Sequence, residues 1–398
     1  MRVSFGSIEI PPYSKKLIRD ITESGRVTSG RYVKRLEEEF ASVMGVREAV
    51  ALSSGGDADA LALAVLYDFG AGRGDEVIVP ALSFVATGNA VLQAGFTPVF
   101  VDVERDTLNI DPAKIESAIT KKTRAIMPVH LMGKPAKMDP INKIARRRGL
   151  VVIEDAAEAY GTEYRGRPAG TLGDMACFSL YAAHIITAIE GGMVVTDNAK
   201  YAEIIRSLRA HGRACKCKEC VLNTKSAYCR KRFYYDTDIR FIFERIGYSS
   251  KMNELEAAVG LGQIRNYRAI IKKRRSNLLY LMKAFGQFEP YLATLHEERH
   301  EKIGPHAFAV IIREGSGIRR DEMVCYLEEK GIDTRSLFSS MPTQCPGFRF
   351  LGYRTGDFPN AEYIGNNGFH IGVHQGLDKR HLDHFIGCVK DFLKKRPK

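Results

Sequence analysis

Long apolar runs are missing from this sequence. No stretch of its 398 residues approaches the roughly 18 consecutive apolar side chains that a bilayer-spanning helix requires, so no membrane partner is expected. The opening residues, Met1-Arg2-Val3-Ser4-Phe5, carry charge with no apolar run behind it and do not read as a secretion signal. A soluble, cytoplasmic protein is the expectation. Internal repeats, low-complexity tracts and proline-rich linkers are missing as well, which leaves ordinary globular domains. Acidic residues are in deficit: 47 Asp and Glu stand against 59 Lys and Arg, a formal net charge of +12. The basic side chains are nevertheless dispersed. Their densest clusters, Arg146-Arg147-Arg148, Lys272-Lys273-Arg274-Arg275 and Lys394-Lys395-Arg396, read as helix faces or ends with no aromatic–basic recognition motif beside them. Nucleic acid is therefore not an expected partner.

What is present is an α/β pattern. Short Val- and Ile-rich runs at Glu76–Pro80, Pro98–Val103, Arg124–Val129, Leu150–Glu154, Met175–Leu180 and Met193–Thr196 alternate with helical stretches. They lack strict polar alternation, which suits strands buried on both faces of a mostly parallel sheet. From about residue 266 a long basic helix leads to a strand at Ala307–Ile312, a helix near Asp321–Lys330 and a closing helix from Lys379, a smaller α+β unit. The spacing predicts a large domain over 1–265 and a small one over 266–398. In parallel sheets ligands gather beyond the carboxyl ends of the strands, so the residues there are the first candidates for chemistry.

Ser53-Ser54-Gly55-Gly56 precedes an apolar helical run, Ala58–Leu66. Small residues opening a helix leave N–H groups free for an anion such as a phosphate; an ordinary helix start with a serine cap reads the same way. Glu154-Asp155 ends a strand, where a carboxylate can hold a pyridinium nitrogen protonated. Next comes Gly173-Asp174-Met175-Ala176-Cys177-Phe178-Ser179-Leu180-Tyr181-Ala182-Ala183-His184, followed by Glu190-Gly191-Gly192.

Together with Ser24–Gly30, Leu36-Glu37-Glu38-Glu39-Phe40, Pro80–Thr87, Pro128-Val129-His130-Leu131-Met132-Gly133, Glu154–Gly161 and Gly331-Ile332-Asp333-Thr334-Arg335, these motifs resemble the DegT/DnrJ/EryC1/StrS nucleotide-sugar aminotransferases over nearly the whole chain. The resemblance implies a fold-type I pyridoxal-phosphate enzyme, a homodimer and a nucleotide-sugar substrate. It further implies that Asp155 pairs with the ring nitrogen and Glu158 lies near the 3-hydroxyl. Phe84 would stack on the ring, and Ser54, Gly55, Gly56 and Ser179 would hold the phosphate. The family's cross-subunit Gly-Tyr-Asn reads Gly247-Tyr248-Ser249 here, which leaves Ser249 as the residue offered to the neighbouring site, with Lys251 in place of the usual arginine.

The main departure is His184, which stands where the family's covalent lysine would be; no lysine lies between Lys143 and Lys200. Imidazole cannot carry the cofactor covalently but can take and return a proton near neutral pH. The same change marks a subset similar to this chain, the nucleotide 4-keto-6-deoxyhexose 3-dehydratases, which use pyridoxamine phosphate noncovalently. Asp59, where the aminotransferases have leucine, points the same way. An unusual aminotransferase and a non-catalytic B6-binding regulator are the alternatives.

Four of the eight cysteines, Cys215, Cys217, Cys220 and Cys229, crowd an insertion at about 214–245. In a chain without a secretion signal that clustering points to a metal rather than disulfides. The resemblance suggests an iron–sulfur cluster, with an iron–sulfur reductase as partner; the relatives' remaining ligand position is Ala157 here, so Cys220 would have to substitute. Four thiolates would equally suit structural zinc, and free thiols are the third reading.

Overall fold

The Val- and Ile-rich runs become the strands of one seven-stranded sheet in the computed structural model, which describes residues 1–225, 227–233 and 236–395. Arg396 of the basic tail and three positions of the cysteine insertion fall outside the described residues. The strands are β1 (Glu48–Leu52), β2 (Glu76–Pro80), β3 (Thr97–Val101), β4 (Thr123–Ile126), β5 (Val151–Asp155), β6 (Met175–Ser179) and β7 (Gly192–Thr196). Their order is β1-β7-β6-β5-β4-β2-β3. Every pairing is parallel except the two made by β7, which runs antiparallel between β1 and β6. Parallel neighbours need a long crossover, usually a helix. No helix forms between β6 and β7, so the chain turns back and the polarity reverses there.

Alternate residues of the central strands serve different cores. Ile153, Cys177 and Val194 face one hydrophobic cluster, whereas Val152, Phe178 and Val195 face the other. The second cluster is closed by α1 (Pro12–Ser24), α2 (Arg31–Met44) and α5 (Glu254–Arg265). The first takes in α3 (Gly55–Ala64) and α4 (Val85–Gln93) and continues into the C-terminal part. Burial on both faces is why these strands show no polar alternation.

The C-terminal part begins with α6 (Tyr267–Phe285) and holds an antiparallel sheet in the order β8-β9-β11-β10. Its strands are β8 (Leu292–Thr294), β9 (Ala307–Ile312), β10 (Thr334–Ser336) and β11 (Gly368–Gly372). The helix α7 (Lys379–Lys394) closes it, and Val3 near the N-terminus runs beside Ile332. Among the described residues no helix is long and apolar enough to cross a membrane.

The strand expected over Arg124–Val129 stops at Ile126. Pro128 has no N–H to give to a ladder, and beyond it only an isolated bridge between Val129 and Asp155 remains. That early exit carries His130 and Met132 over the carboxyl ends of the sheet.

Candidate active site

Three chain segments meet at the carboxyl ends of β1, β5 and β6. After β1, Ser54 caps α3: its Oγ accepts from the Asp57 N–H at 3.0 Å. The helix-start reading is thus correct, and it leaves room for the phosphate reading, because the N–H groups of Gly55 and Gly56 have no acceptor among the described residues. Both the glycine before the helix turn and the one on β7 are forced by close approach. A Cβ on Gly55 would lie 2.7 Å from the Ser179 Cβ, and one on Gly192 would lie 2.0 Å from the Ser54 carbonyl oxygen. A Cβ on Gly56 would meet nothing nearer than 4.0 Å, so the helix opens there onto free space. Ser179, at the end of β6, lines this opening and accepts from the Tyr181 N–H at 3.3 Å.

The two acids that end β5 have different surroundings. Glu154 is fully buried and saturated. Its Oε1 accepts from the N–H groups of Leu172 and Gly173 at 2.7 and 2.6 Å, and its Oε2 from Gly170 N–H at 2.7 Å. His130 Nε2 lies 2.8 Å from Oε2; since Nδ1 accepts from Ala136 N–H, Nε2 carries the hydrogen and donates. Asp155 accepts only from the Thr87 hydroxyl at 2.7 Å and the Ala157 N–H at 3.2 Å. Burial raises its pKa, and among the described residues no Lys or Arg forms an ion pair with it. A buried carboxylate without a cation is costly, and a protonated ring nitrogen would supply one. Glu158 takes the Met132 N–H at 2.7 Å, and burial pushes its pKa up to about 8.

His184 sits in the loop between β6 and β7. Its Nδ1 is buried without a hydrogen-bond partner. Burial first, and then the positive charge of Arg274, bring its pKa down to about 4, so the ring is a neutral proton acceptor at pH 7. Its ring centroid lies 5.3 Å from that of His306, a residue that the sequence did not single out. His306 Nε2 is 3.3 Å from Glu158 Oε1, and its Nδ1 is also buried and unpartnered. Arg274, buried on α6, holds this segment: its Nε donates to the Pro305 carbonyl at 3.0 Å and its Nη2 to the His306 carbonyl at 2.8 Å. The buried lysine nearest in sequence to these residues, Lys134, is committed elsewhere. Its Nζ donates to the His296 carbonyl and pairs with Glu301.

The remaining expected residues are dispersed. Phe84, the residue before α4, is 57% exposed with its ring 5.6 Å from Phe338, free to cover a bound ring. Ser249 is exposed, in a segment bridged to Ala210. The four-cysteine metal centre is not assembled. Among the described residues no three His, Cys, Asp or Glu side chains form a metal-binding group. Cys215, Cys217 and Cys220 line one surface cavity with Arg209, Arg213 and Lys251, but Cys229 is not among its lining residues. Three basic side chains of the insertion are paired with carboxylates: Lys216 with Glu203 and Glu244, Lys218 with Glu48, Arg232 with Asp238. Among the described residues of the segment only two short helices form, Val221–Thr224 and Ile239–Phe241, and no ladder draws Cys229 toward the other three. Cys215 interacts with Cys217 and Cys220, and Arg240 with Cys220 and Cys229, but the four thiols do not close into one group.

The Glu158 carboxyl makes a testable contribution to stability. Its pKa is higher folded than unfolded, so the folded apoprotein binds the proton more tightly, and stability falls as pH rises toward 8. Between pH 6.5 and 8 wild type should lose about 2 kcal/mol relative to Glu158→Gln, from a shift window of about 1.5 units at 1.36 kcal/mol each. Urea unfolding of both apoproteins at the two pH values measures this; equal slopes would refute it.

A sheet with one reversed strand, a glycine-opened helix at β1, and an unpaired aspartate at the end of β5 define the fold-type I architecture of pyridoxal-phosphate-dependent enzymes. Solved structures agree. The E. coli GDP-4-keto-6-deoxy-D-mannose 3-dehydratase with bound hydrated PLP superposes with a TM-score of 0.86 at 31% identity, covering 98% of this chain and 99% of that one. The chain belongs to the DegT/DnrJ/EryC1/StrS aminotransferase family, whose model matches residues 10–390. Among curated relatives, the dTDP-4-dehydro-2,6-dideoxy-D-glucose 3-dehydratase of Saccharopolyspora spinosa is 37% identical over 383 residues, 93% of this chain and 82% of that protein. The GDP-perosamine synthase of Caulobacter vibrioides is 34% identical over 400 residues, 98% of each chain.

Proposed function

We propose that this protein binds pyridoxamine or pyridoxal phosphate noncovalently and dehydrates a nucleotide-linked 4-keto-6-deoxyhexose at C3, with His184 as the base. The observation that carries this reading is His184 itself: a neutral imidazole at the family's lysine position, bonded to the Ala157 backbone on one side and with its buried Nδ1 left without a partner, while the buried Lys134 is already engaged. The site residues fit the cofactor. The free N–H groups of Gly55 and Gly56, with the Ser179 hydroxyl, offer a phosphate cradle at the positive end of α3. Asp155 offers the anion for the ring nitrogen, Glu158 stands on the 3-hydroxyl side, and Phe84 is free to stack. When bound, the cofactor supplies an electron-withdrawing ring conjugated with the sugar's C4. The relatives named as 3-dehydratases support the same reaction class, and we read the functional unit as a homodimer in which Ser249 faces the neighbouring site.

Borohydride treatment of the cofactor-loaded protein should leave the intact chain mass unchanged, because no lysine holds the cofactor. A stable pyridoxyl adduct would sink the reading in favour of aminotransferase chemistry. Light scattering under assay conditions should return twice the chain mass; a monomer with full activity would remove the shared site.

A further inference from the structure

The expelled C3 hydroxyl must leave as water, so dehydration needs an acid as well as a base. We propose that the Glu158–His306 pair is that acid, with His306 delivering the proton to the departing oxygen. This inference rests on the dehydration reading above.

The geometry supplies each part. His306 Nε2 lies 3.3 Å from Glu158 Oε1, while Glu158 Oε2 is occupied by the Met132 N–H at 2.7 Å. A proton on the carboxyl therefore belongs on Oε1, pointing at the imidazole, and with Nε2 accepting, the neutral ring carries its hydrogen on Nδ1. That Nδ1 is buried and has no partner in the protein, an arrangement that calls for one from a ligand. Arg274 grips the carbonyls of Pro305 and His306 from α6, which holds in place the backbone that carries the ring. The titratable and charged groups that face His306 are Glu158, His184, Arg274 and His370. Burial, and after it His184, Arg274 and His370, disfavour a resident imidazolium, which suits a ring that passes a proton through rather than storing one.

The step balances. His184 would take the proton released as the C–H bond breaks, and a bound cofactor would supply the conjugation that carries the electron pair to the C3–O bond. As the C3–O bond breaks, His306 Nδ1–H gives its proton to the oxygen and Nε2 takes the proton of Glu158, so water departs and Glu158 is left ionised. His184, now protonated and with its ring centroid 5.3 Å from that of His306, returns a proton through that ring to Glu158. Nothing is oxidised or reduced overall.

The test compares two sugars: the 3-hydroxy substrate and its 3-deoxy-3-fluoro counterpart, whose fluoride departs with little need of an acid. In His306→Gln, turnover of the hydroxy sugar should fall roughly 100-fold or more, as loss of general acid catalysis does, and that of the fluoro sugar less than about 3-fold. His306→Asn should show the same selective rescue, which guards against one variant folding poorly. Without any cofactor, ring nitrogen NMR of the apoprotein should show His306 protonated on Nδ1. Equal losses on both sugars, no loss on either, or an Nε2–H tautomer would overturn the proposal. Wild type inert toward both sugars would instead fell the dehydration reading.

Discussion

Exchanging His184 for asparagine is expected to lower turnover by about 10³-fold, within the range that removing a general base produces. The affinity for pyridoxamine phosphate should change little. The cradle at Gly55 and Gly56 and the carboxylate of Asp155 lie on other segments, and His184 makes no side-chain bond to either. Asparagine keeps a polar side chain of similar size but cannot carry a proton away. Loss of affinity in parallel with turnover would reassign His184 to cofactor binding. His184→Lys goes further: it should gain a borohydride-stable mass adduct with pyridoxal phosphate and still fail to dehydrate, since it exchanges a proton carrier for a covalent tether. Steady-state turnover, fluorescence titration and intact mass on the same preparations separate the outcomes.

Asp155→Asn is the second large effect. Asp155 is the site's unpaired anion, held by only the Thr87 hydroxyl and the Ala157 N–H. A charge-assisted hydrogen bond is worth roughly 1.5–3 kcal/mol, so losing it should weaken cofactor binding by about 10- to 100-fold. Turnover should fall by more, about 10³-fold, because the same charge keeps the ring electron-withdrawing during reaction. The apoprotein should be at least as stable as wild type, since the substitution removes a buried charge that nothing in the protein neutralises. An apoprotein that unfolds more easily would mean that Asp155 is structural.

Much of the large sheet was legible because its strands carry Val/Ile runs of strand length bounded by turns. Glu76–Pro80 there, and Ala307–Ile312 in the C-terminal sheet, fall where the pattern puts them. The edge strand Glu48–Leu52 was not, since Glu-Ala-Val-Ala-Leu suits a helix as well as a strand and only pairing with Gly192–Thr196 decides it. His184 and Asp155 were readable as departures from, or matches to, a motif. His306 was not: it meets Glu158 across 148 positions of sequence, and a histidine before a strand carries no local signal. Arg274 reads as one more member of a basic run, yet it is the buried one that clamps the His306 segment. The cysteines are the opposite case. Their spacing is a local signal, but whether sulfurs converge depends on how an irregular insertion is tethered, and its basic residues found carboxylates first.

Glu154 and Asp155 are chemically near twins on opposite faces of one pleat, and this makes the strand intolerant of phase errors. Deleting or inserting a single residue between Val151 and Glu154 would turn each acid to the face the other now occupies. An acid with two donors would then stand where four donors wait, and the loop from Gly170 to Gly173 would lose its rivet just as the cofactor's anion turned away. Length variation in this lineage should therefore concentrate in connections such as the one holding the cysteines, while the distance from Val151 to Asp155 stays constant. That makes a single-residue insertion at Ile153 a sharper probe of the site than most point substitutions, because it would disable folding and chemistry through the same two side chains.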